Sequence, residues 1–312
     1  MRFATFVPPG KEQERLGVVS GERVLDLAAA SGGRIPSTMR AFLERSDELL
    51  PAARELLGSA PPSGFLPLAS VRLRPVLPDP ASLRDFFAFE DHAKAAAERR
   101  GEPLGKSWYE VPAYFKGNPR EIYGPEDEVP WPWFTRRLDF ECEVACVVGR
   151  RGRDLSPEEA ASHLFGYMLF NDFSARDIQK KEMANLMGPG KAKDFANAFG
   201  PFLVTADEAD PRRDFAMTVR LNGRTVSEGH FRDQYWGFPL MLSHASQCET
   251  LHPGDVLGSG TFHKGCGLDL GLWLRPGDVI ELEVPVLGVL RNRVGAPKEQ
   301  RELNYLKSGH RP

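Results

Sequence analysis

The stretch that most limits how this chain can fold is Leu138-Asp139-Phe140-Glu141-Cys142-Glu143-Val144-Ala145-Cys146-Val147-Val148, closed by Gly149. Its apolar and β-branched content reads as a strand. Side chains alternate faces along a strand, so Glu141 and Glu143 point one way and Cys142 and Cys146 the other. Two carboxylates side by side in an apolar strand repel each other and lose hydration, so they need a compensating cation. A second apolar strand, Tyr167-Met168-Leu169-Phe170-Asn171-Asp172-Phe173-Ser174, follows about thirty residues on and carries a carboxylate near its end. Three oxygen donors on rigid strands suit a hard divalent ion: Mg²⁺, Mn²⁺ or Ca²⁺. A Glu-x-Glu pair by itself more often marks a solvated edge strand, so the residues around it must decide.

The rest of the chain bounds the possibilities. Of 312 residues, 41% are hydrophobic and 27% charged, which is ordinary for a soluble globular protein with ample material for a core. A net charge of -3 gives no basic signature, so no nucleic-acid surface is expected. The opening Met1-Arg2-Phe3-Ala4-Thr5-Phe6-Val7-Pro8-Pro9 is too short and too soon broken by proline for a signal peptide. No run approaches the roughly 18 apolar residues of a membrane span. The four cysteines form no Cys-x-x-Cys pair. Cys142 and Cys146 lie too far apart along their strand to bond, since each two-residue step rises about 6.5 Å. Reduced core cysteines and a cytoplasmic location are the expectation.

Residues 1–75 read as a small N-terminal α/β unit. Arg2 to Val7 is a strand, and residues 16–27 form a hairpin around Ser20-Gly21-Glu22. Thr38 to Leu57 has a helical pattern that Pro51 is expected to split. The proline-rich Ser59 to Pro80 reads as a boundary, leaving 76–312 as a second unit. There, Ala93 to Arg100 is strongly helix-forming. Residues 101–137 are a long irregular loop. Ser156 and Pro157 open a helix as N-cap and first residue. Residues 202–295 are β-rich, with a turn at Asn222-Gly223, strands at Val279–Val284 and Val286–Leu290, and one helix at Phe238 to Cys248. His244 and Ser246 on that helix lack a nucleophile elbow, which excludes a serine hydrolase. The tail after Asn292 is charged and reads as extended.

Several blocks in order make the pattern specific. After Asp172 come Phe173-Ser174-Ala175-Arg176-Asp177-Ile178-Gln179, then Lys193 ahead of Gly200-Pro201-Phe202-Leu203. Gly258-Ser259-Gly260-Thr261, Leu274-Arg275-Pro276-Gly277-Asp278 and Gly288-Val289-Leu290-Arg291-Asn292 complete it. Together these resemble the fumarylacetoacetate hydrolase family over roughly residues 80 to 295. The resemblance implies a mixed β-sandwich roll behind a small N-terminal domain, in members that are usually homodimers. It implies Asp85 as a fourth metal carboxylate and His92, seven residues on, as general base. It also implies Lys193, Arg176 and Gln179 at the reacting substrate, with Tyr114 and Thr261 lining it. Smaller members carry a glutamate three positions after the histidine, where this chain has Ala95. That leaves Glu90, Asp91 and Glu98 as alternative partners for His92.

A divalent cation on Asp85, Glu141, Glu143 and Asp172 suits the 2-oxo-carboxylate of a small 2-oxo acid and stabilises its enolate. Lys193 and Arg176 add positive charge, and His92 activates water. The expected activity is metal-dependent hydrolysis of a C–C bond in a β-diketone 2-oxo acid such as an acylpyruvate or fumarylacetoacetate. The alternative is a lyase or isomerase of the same family, an oxaloacetate decarboxylase or a 2-hydroxyhepta-2,4-diene-1,7-dioate isomerase.

Overall fold

Alternation along Cys142–Val148 sets the layers of the molecule. In the computed structural model, which describes residues 1–297 and 299, all seven residues of this strand are buried. Cys142, Val144, Cys146 and Val148 enter one apolar core, while Ala145 and Val147 enter another. A strand buried on both faces belongs at the centre of a sandwich.

Among the described residues, twelve strands form the central sheet. Cys142–Val148 pairs antiparallel with Leu164–Asp172 on one side and with Asp255–Gly258 on the other. Beyond them lie Ser82–Phe86, parallel to Asp255–Gly258, and Asn197–Thr205, antiparallel to Leu164–Asp172. The N-terminal strand Arg2–Val7 joins the same sheet by pairing with Asn197–Thr205. A five-stranded sheet, built mainly from Ala216–Leu221, Arg224–His230, Val279–Val284 and Gly288–Val294, covers the first core with Val219, Ile280, Leu282 and Leu290. Helices Met39–Leu43 and Ser46–Ser59 cover the second with Phe42, Leu43 and Leu49. The architecture is β-rich and mixed, as expected.

The hairpin Arg15–Ser20/Arg23–Asp26 forms as read. Asn222 and Gly223 both take positive φ, 51° and 75°, the geometry of a tight hairpin turn. Ser156 caps helix Pro157–His163 in a full capping box with Glu159.

Three local expectations change. The break in the 38–57 helix falls at Glu44-Arg45, and Pro51 lies inside Ser46–Ser59. Pro51 is exposed, so water can satisfy the carbonyl its missing N–H leaves free. The helix expected at 93–100 runs Glu90–Glu98 and takes His92 into its first turn. The last strand begins at Gly288 after a turn at 285–287 and continues through Val294, residues 295–297 follow without regular structure, and the expected tail at 298 and from 300 on lies outside the described residues. No described helix is long and apolar enough to cross a membrane.

Candidate active site

The carboxylates sit where strands of the central sheet end against the second core. Leu83 precedes Asp85, Phe170 precedes Asp172, and Ala145 follows Glu143, each on the same face as its carboxylate. Glu141 stands just before its strand, in a bridge to Cys266. One oxygen from each of Asp85, Glu141, Glu143 and Asp172 lies within 4.8 Å of the others, and all four residues are buried.

Two glycines let the cluster close. Gly258 pairs with Asp85, and a Cβ there would lie 2.5 Å from Asp85 Oδ1. Gly260, at φ +74°, donates its N–H to Glu143 Oε2 (2.9 Å) and Asp85 Oδ1 (3.2 Å). The Ser259-Gly260-Thr261 block is therefore a backbone clamp on two of the acids. Thr261 turns its hydroxyl onto the carbonyl of Cys142 at 3.0 Å, beside the cluster.

The electrostatics ask for more cation than the chain supplies. Burial pushes the Asp85 carboxyl up to about 6, although Glu143 and Lys193 pull the other way. Burial, then Asp85 and Glu141, push Glu143 well above the carboxylate range. Asp172 is likewise raised by burial, despite Lys193. Burial also acts on Glu141, but Arg176 and Lys193 outweigh it and hold that carboxyl well below the usual range. Glu143 Oε1 and Asp172 Oδ1 are buried and accept no hydrogen bond among the described residues. Idle buried oxygens in an all-carboxylate nest fit a hard divalent ion, and the donor set suits Mg²⁺, Mn²⁺ or Ca²⁺ alike.

Lys193 crosses the nest. Its ammonium donates to Glu141 Oε2 at 2.6 Å and contacts Asp172 closely, with the Phe115 ring 5.8 Å away. Burial alone would lower its pKa, but Asp172 and Glu141 raise it, so Lys193 is charged. The loop bearing it is stapled by Glu182, whose carboxylate accepts the N–H groups of Gly190 (3.0 Å), Lys191 (2.7 Å) and Ala192 (3.2 Å).

Arg176 departs from the expectation of a guanidinium fork open to a substrate carboxylate. Its Nε donates to Asp139 (2.7 Å), one terminal nitrogen to Glu141 (2.7 Å), and the other to Gln179 Oε1 (2.9 Å). A guanidinium buried this deeply must be neutralised, and two acids already do so. Arg176 thus fixes Glu141, and Gln179 fixes Arg176. Asp139 anchors the arrangement, also accepting the N–H groups of Gly267 (2.8 Å) and Leu268 (3.0 Å).

His92 is buried, and its Nδ1 lies 2.7 Å from Asp269 Oδ2. The alternatives are elsewhere: Glu90 accepts from Tyr109 (2.6 Å) and pairs with Lys94, while Asp91 and Glu98 are exposed. Burial would raise Asp269, but the His92 hydrogen bond and charge dominate and bring it to about 2. A carboxylate there fixes the imidazole tautomer and its orientation. The Cys266 thiol adjoins this pair.

Tyr114 is not brought to the cluster. It pairs with Phe86, whereas Asp85 pairs with Phe115, and neighbouring residues on a strand face opposite ways. Its ring packs on Phe86 at 4.9 Å and near His244 at 6.1 Å. Phe115 is the aromatic beside Lys193. The sequence reading also missed Asp139, Asp269 and Glu182. Asp139 was within reach, since Asp139-x-Glu141-x-Glu143 keeps one period; nothing local marks Asp269 or Glu182.

Residues 82–295 match the family model described as fumarylacetoacetate (FAA) hydrolase C-terminal. The human protein named oxaloacetate tautomerase FAHD2A, mitochondrial, is 30% identical over 299 residues, covering 94% of this chain and 91% of that protein. Oxaloacetate tautomerase YisK of Bacillus subtilis is 28% identical, covering 95% of this chain and 100% of that one. Among solved structures, the fumarylacetoacetate hydrolase of Exiguobacterium antarcticum superposes with a TM-score of 0.77 at 28% identity, covering 95% and 99% of the two chains. Fold and site together define a β-rich sandwich enzyme centred on a carboxylate nest. The chain belongs to the fumarylacetoacetate hydrolase family.

Proposed function

We propose that this protein interconverts the keto and enol forms of a small 2-oxo dicarboxylate of the oxaloacetate type. The observation that carries the reading is the buried pairing of His92 Nδ1 with Asp269 Oδ2 at 2.7 Å, beside the carboxylate nest. The names of the relatives that match nearly the whole chain support it. Asp85, Glu141, Glu143 and Asp172 would hold a divalent ion, Mg²⁺ or Mn²⁺ in the first place, whose charge acidifies the carbon next to the 2-oxo group.

The chain's own groups supply the proton transfers. With Nδ1–H donated to Asp269, Nε2 of His92 takes the proton from C3, and Asp269 stabilises the imidazolium. Lys193 is the ammonium nearest the nest, and its charge offsets what develops on the C2 oxygen. His92 then returns its proton to that oxygen, completing the enol. Arg176, Asp139 and Gln179 keep Glu141 aimed, and Phe115 shields Lys193 on one side.

A second reading keeps the expected hydrolysis of a β-diketone 2-oxo acid. The likeness to the Exiguobacterium antarcticum hydrolase favours it. There Nε2 of His92 takes its proton from water attacking the distal carbonyl, and the C–C bond breaks to leave the enolate of the 2-oxo acid.

One assay separates the two. Oxaloacetate supplied as its enol is followed by loss of ultraviolet absorbance, and acylpyruvates by release of acid, each with Mg²⁺ or Mn²⁺ and with EDTA. The tautomerase reading expects enol loss that EDTA abolishes, without carbon dioxide release. Acid release from the diketones with no acceleration of oxaloacetate tautomerisation would replace it with the hydrolase.

A further inference from the structure

We propose that His92, His263, Cys266 and Asp269 form a second metal site that captures a borderline-soft divalent ion, Zn²⁺ above all, and that capture removes His92 from the reaction. One donor atom each of His92, Cys266 and Asp269 lies within 4.8 Å of the other two. His263 adds a fourth donor, with Nδ1 3.6 Å from Asp269 Oδ2. His263, Cys266 and Asp269 recur every third residue along one loop running into the short helix Gly267–Leu270. That loop is tied to the metal strand by the Glu141–Cys266 bridge and by Cys142 N–H donated to the Gly265 carbonyl at 2.9 Å.

Donor chemistry separates this site from its neighbour. The carboxylate nest offers oxygen alone and suits a hard ion; two imidazoles, a thiolate and a carboxylate suit zinc. Tetrahedral zinc, with bonds of about 2.0–2.3 Å, spaces its ligand atoms about 3.3–3.8 Å apart, so His92, Cys266 and Asp269 need movements of about 1 Å to close, and His263, which stands outside that group, turns in to complete the set. Cys266 and Asp269 present no exposed side chain, whereas the His263 side chain is 41% exposed and gives the ion its way in. One cation faces the site, Arg99, which donates to Asp269 Oδ1 at 2.7 Å, and the backbone N–H of Lys264 donates to Oδ2 at 3.0 Å. Both can remain as partners of a ligating carboxylate, which is the usual surroundings of such a ligand. On binding, the Cys266 S–H proton leaves to solvent as the S–Zn bond forms. His92 ligates through Nδ1 with its proton on Nε2, the nitrogen the reaction needs free.

The test uses the full-length protein, stripped with EDTA and then held in excess Mg²⁺ to fill the carboxylate nest. Cd²⁺ is titrated as the probe, read by thiolate-to-cadmium charge-transfer absorbance and by calorimetry. The proposal expects one equivalent bound with a thiolate band that Mg²⁺ does not displace. The band should vanish in Cys266→Ser and persist in a variant lacking the exposed thiol, Cys248→Ser. Affinity should fall about tenfold or more in His263→Ala, an exposed position that leaves the fold intact. Zn²⁺ should inhibit turnover at saturating Mg²⁺, less so in His263→Ala. A missing band, a band surviving Cys266→Ser, or one that Mg²⁺ competes away would overturn the site. Only the inhibition rests on the proposed reaction: cadmium capture without any turnover to inhibit would refute that reaction and leave the metal site standing.

Discussion

His92 and Asp269 lie 177 residues apart in sequence and 2.7 Å apart in the structure. The imidazole lies in the first turn of the helix that follows the Ser82–Phe86 strand, and the carboxylate in the short helix Gly267–Leu270 that follows Asp255–Gly258. Those two strands are parallel neighbours, so the pairing follows from sheet order. His92→Ala and Asp269→Asn should each lower kcat by about 10²–10⁴ with KM little changed, because both act on proton transfer. Steady-state kinetics at saturating Mg²⁺ checks this. A loss below about threefold for Asp269→Asn would reduce the pair to packing.

The carboxylate nest gives the metal-free protein an unusual pH dependence. Asp85 titrates at about 6 in the folded state against an ordinary value of 3.8. Between those values the folded state binds more protons than the unfolded chain, so stability falls as pH rises. Glu143 and Asp172 are raised too and extend the trend upward. Asp269, brought to about 2, and Glu141, held well below its ordinary 4.5, contribute stability that is full above their unfolded values and is lost as pH falls through their folded ones, so their loss lies at and below the acid edge of this window. The Tm of EDTA-treated protein should therefore drop on going from about pH 4 to about pH 7. Mg²⁺ or Mn²⁺ at about 100 times its Kd should restore about 2.7 kcal/mol. A metal-free Tm that climbs across the same range would contradict the assignment.

Glu182 acts through the loop of Lys193. Removing the carboxylate frees three backbone N–H groups that it now gathers. Glu182→Ala should lower kcat about tenfold by letting Lys193 drift, with a change in stability under about 1 kcal/mol at this half-buried site. In a Lys193→Met background the same change should cost nothing further. Additive losses in that double-mutant cycle would show that Glu182 works elsewhere.

Tyr114 and Phe115 offer a direct test of strand register. Phe115→Ala, beside the Lys193 ammonium, should reduce kcat several-fold, while Tyr114→Phe should leave both kcat and KM near wild type. The reverse pattern would mean that the substrate approaches from the Tyr114 face.

Much of the centre was legible because it is local. The period of two along 139–148 puts Glu141 and Glu143 on one face, the second apolar strand carries Asp172, and the family resemblance pointed to Asp85 as the fourth carboxylate and to Lys193 beside them. Capping at Ser156 and the Asn222-Gly223 turn were equally plain, since each depends on neighbours a few residues away. Arg176 was legible as a site residue but not as a neutralised one. Which carboxylates surround a buried guanidinium depends on the Leu138–Asp139 pairing with Ser174–Ala175, a contact across the chain. Tyr114 failed for a smaller reason: a one-residue difference in register exchanges the faces of a strand.

The sequence by itself determined the strands, the acids they carry and the family, because strand period and motif order are properties of neighbouring residues. Only the tertiary structure decided that Asp269 supports His92, that Asp139 and Glu141 hold Arg176, and that Phe115 meets Lys193. Those partners are chosen by sheet order and loop packing, which bring together residues that nothing in the local chain connects.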